Sequence, residues 1–170
     1  MTLVLRPVCR DDLMAVGAVH HASRIDTYRG FVDPEALESV PAEALGRWWY
    51  ERWPYERDTH RLTVAERNGR IVGFTYLGPD EYGEPGLGEL YAIHLVPAEE
   101  GRGTGRALMV DALAALHERG FTRASLWVVA GNQHARRFYE RGGWRPDGTE
   151  RESAIAAAIT RQLRYLRPLP

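Results

Sequence analysis

Three glycines, at 101, 103 and 105, alternate with Arg102 and Thr104 between an apolar run and a stretch of helical periodicity. Leu90–Val96 is almost uninterruptedly apolar and closed by Pro97, as suits a central strand buried on both faces. Beyond the glycines, Met109, Ala112, Leu113 and Leu116 follow the i, i+3, i+4, i+7 spacing of a helix, and Gly120 stands where a C′ residue belongs. A strand–glycine loop–helix unit confines the chain to α/β architectures, and its loop is built to meet an anion. Alternate glycines let backbone N–H groups converge with no Cβ in the way, and the helix adds its positive end. Arg102 and Arg106 bring two guanidinium groups suited to phosphate oxygens, so a pyrophosphate fits.

Two familiar phosphate loops fail on spacing. The P-loop pattern requires a lysine, and every basic residue here is an arginine. The dinucleotide pattern G-x-G-x-x-G requires glycine where Arg106 stands, and only Glu118, inside the helix, lies near the place of its acidic partner. A glycine turn that merely breaks strand from helix is the remaining alternative.

The rest of the chain surrounds this unit. Leu3–Arg6 reads as a strand ended by Pro7. A helix opens at Asp11 and Asp12 and reaches about Ser23; residues 24–41 read as loop or broken helix; a second helix runs from Pro41 to before Pro54. Arg61–Glu66 and Arg70–Leu77 form a hairpin about Asn68-Gly69. Residues 78–88 read as loop, Ser125–Ala130 as strand, Asn132–Arg141 as a helix stopped by Gly142-Gly143, and Leu163–Leu166 as a last strand. Residues 145–160 suit helix and strand equally.

At 170 residues, 44% hydrophobic and 26% charged, the chain is the size of one domain, taken as 1–170. A net charge of −1 gives no pull toward nucleic acid or an anionic membrane, leaving a small molecule or peptide as partner. Cys9 is the only cysteine and the six histidines lack ligand spacing, so no metal is expected. Arg6 and Pro7 interrupt any signal-like apolar run and no stretch is long enough to span a membrane, so the expected location is cytoplasmic. Monomer and homodimer both remain open.

Together these features resemble the GNAT superfamily of acetyl-CoA-dependent N-acetyltransferases, from Leu3 to about Leu169. The family loop Q/R-x-x-G-x-G/A after a V-x-P-type strand end is matched by Val96-Pro97 and by Gly103 and Gly105, with Glu100 in place of Gln or Arg. The expectation is that Glu100 points away and offers only its backbone N–H. A second motif, Asn-x-x-Ala-x-x-x-Tyr followed by Gly and an aromatic, stands at Asn132, Ala135 and Tyr139, then Gly143-Trp144. The resemblance implies a mixed, mostly antiparallel twisted sheet with helices on both faces. It implies acetyl-CoA held by Leu95, Val96, the 101–106 loop (Gly101, Arg102, Gly103, Thr104, Gly105, Arg106) and Asn132. It also implies a backbone N–H near Leu95 on the thioester carbonyl.

The chemistry then needs a base and an acid. An alkyl ammonium titrates near 10.4, so its proton must be removed, and Glu89 at the start of the central strand is the candidate, acting through water. Tyr139, protonated at neutral pH, can donate to a leaving thiolate. Each has a plain alternative: a solvated strand-end carboxylate and a core tyrosine. His94 reads as a packed strand residue. Tyr28 and, in the 78–88 loop, Tyr82 are the candidate acceptor contacts; Trp48, Trp49, Trp53 and Tyr55 line either a pocket or a helix–sheet interface. The reading is an N-acetyltransferase acting on a small primary amine. A protein or peptide acetyltransferase and a non-catalytic acyl-CoA-binding module are the alternatives.

Overall fold

The computed structural model describes residues 2–170. Strands β1 (Leu3–Pro7), β2 (Arg61–Arg67), β3 (Arg70–Pro79), β4 (Leu87–Leu95), β5 (Arg123–Val129), β6 (Arg145–Ile155) and β7 (Ala158–Pro168) form one sheet in the order β1-β2-β3-β4-β5-β7-β6. Every neighbouring pair is antiparallel except β4 and β5. Helices α1 (Leu13–Tyr28) and α3 (Ala42–Glu56) cover one face, with the short α2 (Pro34–Glu38) between them in sequence; α4 (Thr104–Glu118) and α5 (Gln133–Arg141) cover the other. Leu13, Val16, Val19 and Trp49 meet Leu62, Val64, Phe74 and Tyr76 on the first face. Met109, Ala112 and Leu116 meet Leu77, Leu90, Leu126 and Val128 on the second. No helix among the described residues is long and apolar enough to cross a membrane.

The mixed α/β architecture with helices on both faces is as expected, and several element bounds are not. Helix α1 runs on to Tyr28, past the expected end near Ser23, because Val32 and Leu37 form a further apolar patch with which Ile25 and Tyr28 pack. Within 24–41, α2 starts at Pro34, with Asp33 Oδ1 accepting the Glu35 N–H at 3.0 Å. Helix α3 carries Pro54 in its last turn, where a missing N–H removes one bond near the end, and stops two residues later. The unassigned stretch 145–160 is most of a long β6–β7 hairpin. Its turn places Ala156 and Ala157 in the left-handed region (φ 45° and 67°), a conformation normally reserved for Asn or Gly.

Helices α1 and α3 touch backbone to backbone. A Cβ on Gly17 would lie 2.2 Å from the Gly46 nitrogen, which neither helix can yield without separating. Gly17→Ala is therefore expected to cost about 3 kcal/mol and lower the melting temperature by roughly 6–12 °C. Gly30→Ala, where a Cβ meets nothing, is expected to stay within about 0.5 kcal/mol. Thermal unfolding of the two variants checks both, and an unaffected Gly17→Ala would contradict the close crossing.

Candidate active site

β4 and β5 pair at only three positions, Leu87–Arg123, Gly88–Ala124 and Glu89–Ser125. Past Glu89 each strand stays with its other neighbour: β4 with β3 as far as Leu95, β5 with β7 as far as Val129. Between them lies a cavity of about 130 Å³, walled by Leu90–His94 and Leu126–Val128 and closed by Ser23, Thr27 and Tyr28 of α1 and Asn132, Ala135 and Tyr139 of α5.

Asn132, Ala135 and Tyr139 share one face of α5 by their three- and four-residue spacing. Asn132 Oδ1 accepts the Ala135 N–H at 3.1 Å, which starts the helix and leaves the side-chain amide NH2 as a donor at the cleft wall. The Tyr139 ring packs against Phe138, Trp144 and Tyr165, with centroids 5.6–6.4 Å apart. Burial, with a smaller contribution from the Tyr28 phenol, pushes Tyr139 well above the usual tyrosine range, so its hydroxyl is a donor throughout neutral pH.

Glu89 reaches its position through a β-bulge. Phe74 pairs with His94 and Tyr76 with Ala92, but Leu77 pairs with Leu90 and Gly78 with Glu89, so Tyr91 is an extra residue. Without it, Glu89 and His94, five apart, would point to opposite faces; with it, both lie on the α1–α3 face. Glu89 is 2% exposed, and one carboxylate oxygen accepts the Glu81 N–H at 2.9 Å. Burial is the main cause of a pKa raised to about 7; the Glu81 N–H opposes it, and the charges of Asp80 and Glu81 add to it. Asp80 is buried beside it, with one oxygen receiving the N–H groups of Tyr82 and Glu84 and the other without a partner. Tyr91 also borders an open groove of about 520 Å³ containing Glu56, His60, Asp80 and Glu81.

The glycine loop bends as an anion cradle. Gly101 and Gly103 have φ 71° and 82°, and the first backbone bond of α4 is Ala107 N–H to Gly103 C=O at 3.0 Å, leaving the first-turn N–H groups free of helical partners. Buried Glu99 fixes the bend: it receives Thr104 Oγ1 at 2.6 Å, Arg67 Nε at 3.1 Å and Arg102 Nη1 at 3.1 Å. Burial alone would raise Glu99, but the Thr104 and Arg67 hydrogen bonds outweigh it and hold the carboxyl below its usual range. Arg102 is thus shared with Glu99, while Arg106 is exposed and makes no ion pair with any described residue. Glu100 is exposed, and its N–H donates to Pro97 C=O at 3.1 Å, so that group is not the free donor expected. Val96 likewise spends its N–H on Val72. The Arg102 N–H is also engaged, by the Glu99 C=O at 3.3 Å, so a diphosphate fits the amides of Gly103–Arg106, and a narrow acyl-carrying arm fits the strand gap that Asn132 borders.

Tyr28 lies in the cleft wall and Tyr82 does not: Tyr82 is 64% exposed, edge-on to Trp127 and hydrogen-bonded by Arg151. Trp49 is core, whereas Trp48 is partly and Tyr55 almost fully exposed. His94 is packed, with Nδ1 2.9 Å from Ser23 Oγ, and also borders the cleft. Sequence reading missed Ser23, Thr27 and Trp127; the Ser23–Thr27 spacing would have shown a helical face had α1 been carried to Tyr28.

The match to the acetyltransferase (GNAT) family covers residues 25–144. The chain belongs to the GNAT family. An uncharacterized N-acetyltransferase of Archaeoglobus fulgidus is 30% identical over 138 residues, 79% of this chain and 88% of that protein. Mycothiol acetyltransferase of Acidothermus cellulolyticus is 34% identical over 134 residues, 72% of this chain but 40% of that protein, so this chain spans well under half the length of that relative. The PaiA N-acetyltransferase of Thermoplasma acidophilum, solved in complex with coenzyme A, has the same fold: TM-score 0.81, 99% of both chains and 19% identity.

The raised pKa of Glu89 has a consequence for stability. Between about pH 4.5 and 7 the folded chain retains a proton that the unfolded chain has released, so this site makes stability fall as pH rises through that window. Glu89→Gln removes the dependence and is expected to gain roughly 3 kcal/mol on the wild type between pH 4.5 and 7.5 in urea unfolding. A gap independent of pH would put Glu89 back in the ordinary carboxylate range.

Proposed function

We propose that the chain transfers the acetyl group of acetyl-CoA to a primary amine of a small molecule, with Glu89 as base and Tyr139 as acid. The observation that carries this reading is the gap between β4 and β5, with a carboxyl poised near neutral pH at its root and a protonated phenol in its wall. The small-molecule part draws on the mycothiol acetyltransferase relatives.

Acetyl-CoA supplies an acetyl group already activated as a thioester. The amides of the 101–106 loop, with Arg102 and Arg106, hold its phosphates, and Asn132 orients its arm along the cleft. Leu95, at the end of β4, presents backbone to the carbonyl. Glu89 takes the ammonium proton through water, leaving the nitrogen lone pair free to attack. As the N–C bond forms and the C–S bond breaks, Tyr139 gives its proton to the departing sulfur, whose thiol titrates near 8.5. The nitrogen, still carrying a surplus proton after attack, passes it through water back to the Tyr139 phenolate, so the products are the neutral amide and the free thiol of coenzyme A. Tyr28 and the groove beyond Tyr91 receive the rest of the acceptor.

Tyr139→Phe keeps the packed ring and deletes one donor, so kcat is expected to fall by about 10² to 10⁴ with the KM for acetyl-CoA little changed. Wild-type kcat/KM is expected to rise with pH through about 7, because only ionised Glu89 accepts the proton. Glu89→Gln is expected to lose that limb along with about 10²-fold of the rate. An acceptor screen following thiol release makes these measurements. Tight acetyl-CoA binding with no turnover of any amine would instead mark a binding module.

A further inference from the structure

Arg24 carries a cation for which no described residue supplies a counter-ion. It lies on α1 one turn from both His20 and Tyr28, half-buried, and makes no hydrogen bond or ion pair with any described residue. Other partly buried arginines have partners: Arg6 pairs with Asp12, Arg61 with Asp111, Arg67 with Glu99 and Arg164 with Asp147, while Arg136 and Arg167 hydrogen-bond the Tyr165 hydroxyl and backbone carbonyls. At about 100° per residue, Arg24 projects between Thr27 and Tyr28, both of which wall the cleft. His20 and His94 stack beside it with ring centroids 4.7 Å apart. Neither adds or cancels charge. His20 Nδ1 accepts from Trp49 Nε1 at 3.2 Å, and burial, with Arg24's charge contributing, drives both imidazoles to the neutral form, His94 to about 4. Burial also lowers Arg24, with the neighbouring Tyr28 acting the other way, and a guanidinium tolerates this without losing its proton; Tyr28 is itself held neutral by burial and is no counter-ion.

A lone desolvated guanidinium is costly unless something anionic meets it, and its planar fork is shaped for a carboxylate or phosphate. The Tyr91 bulge puts Glu89 and His94 on the same face, so α1, which carries Arg24, covers the side on which the candidate base faces an amine. The glycine loop for the phosphates of coenzyme A instead opens α4, on the opposite face of the sheet. We infer that Arg24 is the anion receptor of the acceptor site, and that the acceptor is an amine also bearing a carboxylate or phosphate. This rests on the acetyl-transfer reading for the identity of the ligand, but not for the existence of the anion site.

The test uses the full chain and primary amines in matched pairs, one member carrying a free carboxylate and the other the carboxamide, followed by thiol release from acetyl-CoA. The wild type is expected to favour the carboxylate by about tenfold or more in kcat/KM. Arg24→Gln is expected to bring the ratio within about twofold, and Arg24→Lys to restore part of it, with coenzyme A affinity by calorimetry unchanged in both. Equal use of both members by the wild type, or a preference that survives Arg24→Gln, would overturn the proposal. So would a tenfold loss of coenzyme A affinity, which would put Arg24 on a phosphate of the cofactor. If no amine is acetylated, the acetyl-transfer reading fails and the site is decided by binding alone. Glutarate or inorganic phosphate should then raise the melting temperature of the coenzyme A-saturated wild type and not of Arg24→Gln, and equal shifts would sink the anion site.

Discussion

A sheet that stops pairing in its own middle governs this molecule. After three residues in parallel, β4 and β5 separate, and the facing N–H and C=O groups of Leu90–Leu95 and Leu126–Val129 lose the neighbours a continuous ladder would provide. Each such group, if enclosed without a partner, costs about 1–3 kcal/mol. The gap persists because both strands are held on their outer sides, β4 by β3 and β5 by a long run against β7. Helices α1 and α5 close over it without filling it. The result is a slot lined by backbone groups seeking partners, which is the chemical complement of an extended, amide-bearing ligand.

Two local devices shape the ends of that slot. The extra residue at Tyr91 turns Glu89 to the α1–α3 face and into enough burial to raise its pKa toward neutral. Glu99 organises the other end by holding Arg67, Arg102 and Thr104 at once, so that the bend at Gly101 and Gly103 is set before any phosphate arrives. Both devices consist of buried carboxylates with opposite outcomes. Glu89 lacks cationic hydrogen-bond donors and is driven toward the neutral form, while Glu99 has two arginines and stays ionised.

How much of this was readable beforehand depended on whether a position needs a special residue. Asn68 and Gly69 both adopt positive φ, and a turn of that type demands such residues, so the hairpin was visible. The glycine loop was legible for the same reason, and Asn132 because its side chain must cap α5. The β6–β7 turn was hidden, since alanines at 156 and 157 carry no turn chemistry and are held there by eleven-residue strands on either side. The bulge was hidden too: Leu90–Val96 looks equally apolar in either phase, and only the register with β3 reveals the flip. Arg24 fell in a stretch read as loop, so its place on the helix face shared with Thr27 and Tyr28 had no signal until α1 was seen to continue.

The central claim is that the separation of β4 from β5 is where the acyl group is delivered, and a crystal structure with acetyl-CoA tests it most directly. The account predicts the phosphates against the N–H groups of the 101–106 loop, the arm lying between the two strands in hydrogen-bond contact with the β4 backbone, and the thioester sulfur beside the Tyr139 hydroxyl. A bound arm that runs outside the gap, or strands that close into a continuous ladder around an empty cleft, would contradict it.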